Sequence, residues 1–460
     1  MSPAHQRLLH RRVAEALVEI YAYTSSGGQV NLDAVSGQIA AHFEHAGLPL
    51  RAIPYYQRAG EVASHVYANA EAITAFQRAI TLLETHSAGL SRHDRQWEEA
   101  ASLYEHLGDV FERIGQHGEA RLAYQQAMTC VPAQEGVWLA RLHRKTAKTW
   151  NFPPNPEEVL RACREAEHIL EQMAVKSETE WQQEWIQTQI EQLHPFFMGA
   201  RTQEMTRVIE KARPVIEQCG TAAQRAVFFH YVAFREAMQN HYVVSEETLS
   251  HCRVALQASL ESGLLDLIGT VRFGFGVCLL WYGDLERAEE QLHIALTLAE
   301  QIGDIELRAR CLSFLPFVPR HRGEVEEVRR AVSRAWTAHE RRYDEVIIGH
   351  RSWVAWRDGN MEEAETDGLA ALESWRRQRH IYAFQWTALW PLIGVALAQG
   401  RLPEAMNHVR MLLNPTQQYP PEPLLTMLEE CLQAWDAGQQ DTARTLLQQA
   451  APLAREMNYL

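Results

Sequence analysis

Residue types able to do chemistry are plentiful in this 460-residue chain, but they are scattered. A phosphate-cradling loop needs Gly-Lys followed by Ser or Thr at a helix amino terminus. The four lysines, Lys145, Lys148, Lys176 and Lys211, follow Arg144, Ala147, Val175 and Glu210, so none fits such a loop. His42 and His45 stand three apart in HFEH, on one face of a helix, yet no third ligand is near them in the sequence; they read as core or surface histidines. HERRY at 339–343 lacks the second histidine of a zinc-protease helix, and no G-x-S-x-G elbow occurs. GFG at 274–276 lies in a helical pattern and reads as close helix packing. Neighbouring carboxylates such as Glu98 with Glu99, or Glu326 with Glu327, diverge on a helix and read as a solvated face. The seven cysteines are at least 26 residues apart with no C-x-x-C, which is neither a disulfide framework nor a zinc ribbon. The expectation is therefore no catalytic residue, no metal and no cofactor.

A formal charge of −14 argues against general binding to nucleic acid or an anionic membrane, which needs a basic surface. Only four of the 44 cationic residues are lysine, so arginine supplies nearly all the positive charge. No apolar run is expected to reach the roughly 18 residues of a membrane helix. The amino terminus, MSPAHQRLLHRRVAEAL, has no apolar signal segment, and a cytoplasmic location is expected. An apolar content of 46% is ample for a buried core.

The elements that must position any site are best seen in Trp97–Pro132. Leu107, Gly108 and Phe111 fall at L-G-x-x-aromatic spacing, Gly115 marks a turn, and Ala120, Tyr124, Ala127 and Pro132 follow. This unit resembles a tetratricopeptide repeat (TPR), a helix-turn-helix of 34 residues. Gly108 and Ala120 stand where two helices cross, and a larger side chain would push the axes apart. Turn glycines recur at Gly47, Gly115, Gly283, Gly323, Gly359, Gly400 and Gly438. Five residues after each come Ala52, Ala120, Ala288, Val328, Ala364, Ala405 and Ala443; twelve after come Ala59, Ala127, Ala295, Ala335, Ala371, Leu412 and Ala450. The two offsets are seven apart, so both face the same side of the second helix.

The expected fold is all-α, a right-handed superhelix (α-α solenoid) of about eleven TPR-like pairs, with no sheet. Residues 1–32 are expected as a capping helix and loop broken at SSGGQVN, 33–263 as a first run of repeats that is degenerate in its middle, and 264–460 as a second run continuous with it. Pro-rich stretches at 152–156 and 414–423 read as tight connectors. The first 85 residues, with HRRVAEALVEIY and IAAHFEHAGLPLRAIPYYQRAGEVASHVYANAEAITAFQRAITLLE, resemble the start of the carboxy-terminal helical-repeat arm of bacterial STAND-type regulatory ATPases, most strongly over residues 7–132. In that family the arm senses an effector or partner. The resemblance does not extend to the ATPase, whose phosphate loop has no counterpart here.

By resemblance to such arrays, positions 2, 5, 9 and 12 of each unit line a concave groove. That register selects Glu105, Asp109 and Glu112, then Arg141, Arg144 and Lys148, then Arg310, Phe317 and Arg320, then Trp353, Trp356 and the adjacent Arg357, then Trp390. Two readings stand. Arginine and tryptophan are the types enriched at binding hot spots, and an acidic peptide with an aromatic or terminal carboxylate would suit them. Alternatively the tryptophans pack between helices and the arginines are solvated. The functional expectation is a non-enzymatic scaffold or sensor arm binding a protein or peptide in bacterial signalling or transcriptional regulation. The alternative is an arm that senses a small effector molecule; no nucleic-acid or membrane partner is expected.

Overall fold

The computed structural model describes residues 2–23, 29–87, 96–151, 155–173, 179–337, 343–377 and 381–460, and it holds helices and no strand among them. HERRY and the Pro-rich turn at 152–156 lie largely outside these residues, as does part of SSGGQVN. Two compact units divide the chain, Met1–Gln192 and Leu193–Leu460. Unit 1 contains α1 Pro3–Tyr23, α2 Gln29–His45, α3 Pro49–His65, α4 Asn69–Ser87, α5 Gln96–Arg113, α6 His117–Cys130, α7 Gly136–Lys148, α8 Pro156–Gln172 and α9 Thr179–Glu191. Unit 2 contains α10 Leu193–Met198, α11 Thr202–Cys219, α12 Ala222–Gln239, α13 Glu246–Ser262, α14 Leu265–Tyr282, α15 Leu285–Ile302, α16 Ile305–Phe314, α17 Phe317–His321 and α18 Val325–Thr337. It continues with α19 Asp344–Arg357, α20 Met361–Arg377, α21 Trp386–Ala398, α22 Leu402–Leu412, α23 Leu424–Asp436 and α24 Gln440–Glu456.

Within each unit many consecutive helices pack as hairpins, among them α3 with α4, α5 with α6, α14 with α15 and α19 with α20, and the small residues explain how. All seven turn glycines have φ between 71° and 93°, the left-handed region that lets the chain reverse between two helices. The residues five positions beyond them, Ala52, Ala120, Ala288, Val328, Ala364, Ala405 and Ala443, are all fully buried. A Cβ placed on Gly108 would stand 2.5 Å from Cε1 of Tyr124, so that ring lies on bare backbone. Gly276 of α14 meets Leu292 of α15 the same way, at 2.9 Å. Ser352 and Cys431 occupy the same place before their turns, and each donates to a carbonyl of the next helix, Ser352 Oγ to Ala364 O at 2.7 Å and Cys431 Sγ to Ala443 O at 3.2 Å.

That contact recurs near the amino terminus, where α3 packs against both α2 and α4. A Cβ on Gly60 of α3 would lie 2.6 Å from the Phe76 ring of α4, the Gly108–Tyr124 arrangement again. The turn between α3 and α4 is closed by Tyr67 at φ 59° in the place of glycine, so turn glycines do not mark it. A correction concerns α14. Leu265–Tyr282 is long and apolar enough to cross a membrane, contrary to expectation. Its apolar residues from Ile268 to Leu280 are buried within unit 2, where Gly269 and Gly276 admit Leu307 and Leu292 to its backbone, as in a core helix.

Candidate partner-binding face

In unit 1 the positions selected by the repeat register form a ladder of charge across successive helices. Glu105, Asp109 and Glu112 recur at helical spacing on α5 and face α7. Lys145 Nζ lies 2.6 Å from Glu105 and 2.7 Å from Asp109, and Lys148 Nζ lies 3.1 Å from Glu112. On its far side α7 meets α9: Arg144 donates to both oxygens of Glu184 at 2.6 and 3.3 Å, with Glu191 at 3.9 Å, and Arg141 donates to Glu180 at 2.7 Å. Trp138 Nε1 and the Tyr124 hydroxyl complete the inner rungs by donating to Glu105 at 2.7 Å and Asp109 at 2.9 Å.

The ladder's electrostatics are those of fixed charge. Burial pushes the Glu105 carboxyl up, but Lys145 beside it outweighs that and holds it below the usual range. Burial likewise opposes the Arg144 cation, and Glu184 and Glu191 more than restore it. Both groups are driven away from neutrality, whereas a general acid or base needs a pKa near the working pH. The rungs are not equally covered: the Arg144 and Glu184 side chains are 13% and 8% exposed, Lys148 and Glu180 53% and 69%. Sequence selected Arg141, Arg144 and Lys148 but not Lys145, nor the acids Glu180, Glu184 and Glu191. No turn glycine sets a register in α9, so nothing in the sequence aligned those acids with α7.

In unit 2 the selected residues also come together, but inside. Phe317, Arg320, Trp353 and Trp390 are buried, the tryptophans packed between helices and Arg320 enclosed, not solvated. Arg320 donates through Nη1 to Thr387 O at 3.0 Å and through Nη2 to Tyr459 O at 2.8 Å. Its guanidinium stands 5.1 Å from the Trp353 ring and 4.8 Å from that of Trp386. Two carbonyls and two indole faces thus offset a buried cation, and burial holds its pKa well below the usual value. Phe317 packs edge-on against His350 at 4.6 Å, and Trp390 lies 6.3 Å from Tyr459. Arg310, Trp356 and Arg357 are half-buried: Arg310 over Phe273 at 5.2 Å, Trp356 against Gly394, and Arg357 over Trp353 at 5.0 Å. Burial lowers the histidines here, His230 to about 3, His321 to about 4 and His350 well below its ordinary value.

The histidine pair seen in the sequence has a third member after all. His10 of α1 places Nδ1 2.8 Å from Nδ1 of His42, and its ring stacks on that of His45 at 5.1 Å. No group of three His, Cys, Asp or Glu among the described residues is arranged to hold a metal ion. Two open grooves, of about 780 and 970 Å³, lie over α2–α4 and over α15–α18, and no selected residue lines either.

No family model matches the chain, and no curated protein matches its sequence. Solved structures do. A Rap protein in complex with competence and sporulation factor superposes with a TM-score of 0.54 at 12% identity, over 83% of this chain and 99% of that one. A STAND protein with a tetratricopeptide-repeat sensor from Pyrococcus horikoshii gives 0.45 at 13% identity, over 81% of this chain and 55% of that one. Yeast Tom70 gives 0.40 at 12% identity, over 93% of each. The shared feature is the fold: this chain is an all-α, TPR-like helical solenoid.

Proposed function

We propose that the chain is a non-enzymatic interaction scaffold that binds a protein or peptide on the face formed by α5, α7 and α9. The observation that carries this reading is the charge ladder. Lys148 and Glu180 stand largely exposed beside rungs whose partners already fix them, so a ligand meets pre-positioned charge and pays little to order it. The Rap protein of the same fold was solved with a bound factor, which supports assigning a partner to this one. An acidic segment would have to compete with Glu105, Glu112 and Glu184 for the cations of α7. A partner carrying both signs, acidic opposite α7 and basic opposite α5 and α9, fits the ladder better. A role in bacterial signal transduction or transcriptional regulation, in the cytoplasm, is the finer reading, motivated by the resemblance of residues 7–132 to STAND sensor arms.

The test is affinity capture from native cytoplasm on the wild-type chain beside an Arg141→Glu, Lys148→Glu variant, read by mass spectrometry. A protein held by wild type and lost by the variant is expected. Equal retention by both would sink the assignment of this face. If no protein is retained and small molecules raise the melting temperature instead, the chain is a small-effector sensor.

A further inference from the structure

The helix α1 packs on α2 through an inward side that holds Ala14, fully buried, with Leu17 and Val18 against the core. On another side Leu9, Val13, Ala16 and Ile20 recur at steps of four, three and four, which sets them in one line along the helix. All four are exposed. Alternating steps of four and three are those of a heptad seam, the line along which two helices close on each other.

The charges beside the seam say what closes on it. Arg12 and Glu19 stand one residue before Val13 and Ile20, so they share one heptad position and one flank. Both are exposed, and neither makes an ion pair with another described residue. Glu15, turned elsewhere, is already held by Arg11 at 3.0 Å and Arg51 at 2.9 Å. In an antiparallel pair of helices this flanking position of one copy lies beside the same position of the other. Arg12 then meets the partner's Glu19, and by symmetry Glu19 meets the partner's Arg12. Along the seam Leu9 meets the partner's Ile20, and Val13 meets the partner's Ala16. A parallel pair would instead set Arg12 beside the partner's Leu17, with no ion pair.

We propose that α1 is a self-association surface, through which two copies of the chain form an antiparallel, two-fold symmetric dimer. It uses no residue of α5, α7 or α9, and neither reading depends on the other. Four seam residues per helix, one of them alanine, bury a small area, so the dimer is weak and its extent depends on concentration.

The experiment is sedimentation velocity on the full chain over a concentration series at low salt, for wild type, Arg12→Glu, Glu19→Arg and an equimolar mixture of the two variants. Wild type is expected to pass from monomer to dimer. Each variant alone sets like charges together on both flanks and is expected to associate more weakly by about tenfold or more. The mixture sets opposite charges together again and is expected to regain wild-type association, a rescue that misfolded variants could not give. A dimer that persists in both variants overturns the proposal, because another surface then holds it. So does a mixture that associates no better than the variants alone. Wild type that stays monomeric up to about 100 μM overturns it as well; if that monomer floats with phosphatidylglycerol vesicles, the seam faces a membrane instead.

Discussion

The same register positions that form a charged ladder in unit 1 form a buried aromatic core in unit 2. In unit 1, α5, α7 and α9 neutralise one another rung by rung and leave Lys148 and Glu180 at an exposed edge. In unit 2, Arg320 is enclosed between Trp353 and Trp386 and held by the carbonyls of Thr387 and Tyr459. The difference teaches that a repeat register chooses the direction in which a side chain points but not what it meets there. Charged neighbours of opposite sign leave a face open to solvent, whereas aromatic side chains close it with the chain's own rings.

The comparison breaks most readily in unit 2. Trp390→Ala should cost about 3–5 kcal/mol by leaving a cavity in a buried aromatic cluster, measured by urea unfolding. A stability close to wild type would mean that the aromatic face is not core. In unit 1, Glu184→Ala should cost about 3 kcal/mol, because it strands the Arg144 cation, with Glu191 at 3.9 Å as its remaining partner. If the cost is below about 1 kcal/mol, that pair behaves as a surface contact.

Acid separates the two units next. An unfolded histidine titrates near 6.5, while burial keeps His350 neutral in the fold to much lower pH. Between those values the unfolded chain binds a proton that the folded chain does not, so this histidine's contribution is intact above about pH 6.5 and lost as pH falls below it, at up to about 1.4 kcal/mol per unit. His230 and His321 act in the same direction. Glu105 is depressed instead, so its contribution persists until the carboxylate range near pH 4 and is lost as pH falls through it. Urea midpoints taken from pH 7 to 5 should therefore decline in wild type and decline less in His350→Leu; parallel curves would rule out a buried neutral His350. The smallest effect expected is Lys148→Ala, at most about 1 kcal/mol, since its contact with Glu112 is an exposed ion pair. A larger loss would show the edge of the ladder to be structural.

Much of the fold was legible because its signals are local. A left-handed turn selects glycine at Gly115, and a helix crossing selects small residues at Gly108 and Ala120, whatever the rest of the chain does. The close packing of α3 on α4 escaped because Tyr67 adopts the turn conformation that glycine usually signals. The ladder was half legible: α5 and α7 carry their charges at helical spacing, but Lys145 falls outside the expected positions and the acids of α9 have no turn glycine to align them.

By itself, then, the sequence determined the helices, their turns and the small residues at their crossings, because sterics within one hairpin depend on residues a few turns apart. Tertiary structure alone decided which arginines and tryptophans would meet solvent. Phe384 reaches Tyr242 and Trp281, and Tyr459 reaches Arg320, across more than a hundred residues of chain. Burial is a sum over such distant neighbours, and no spacing within one helix encodes it.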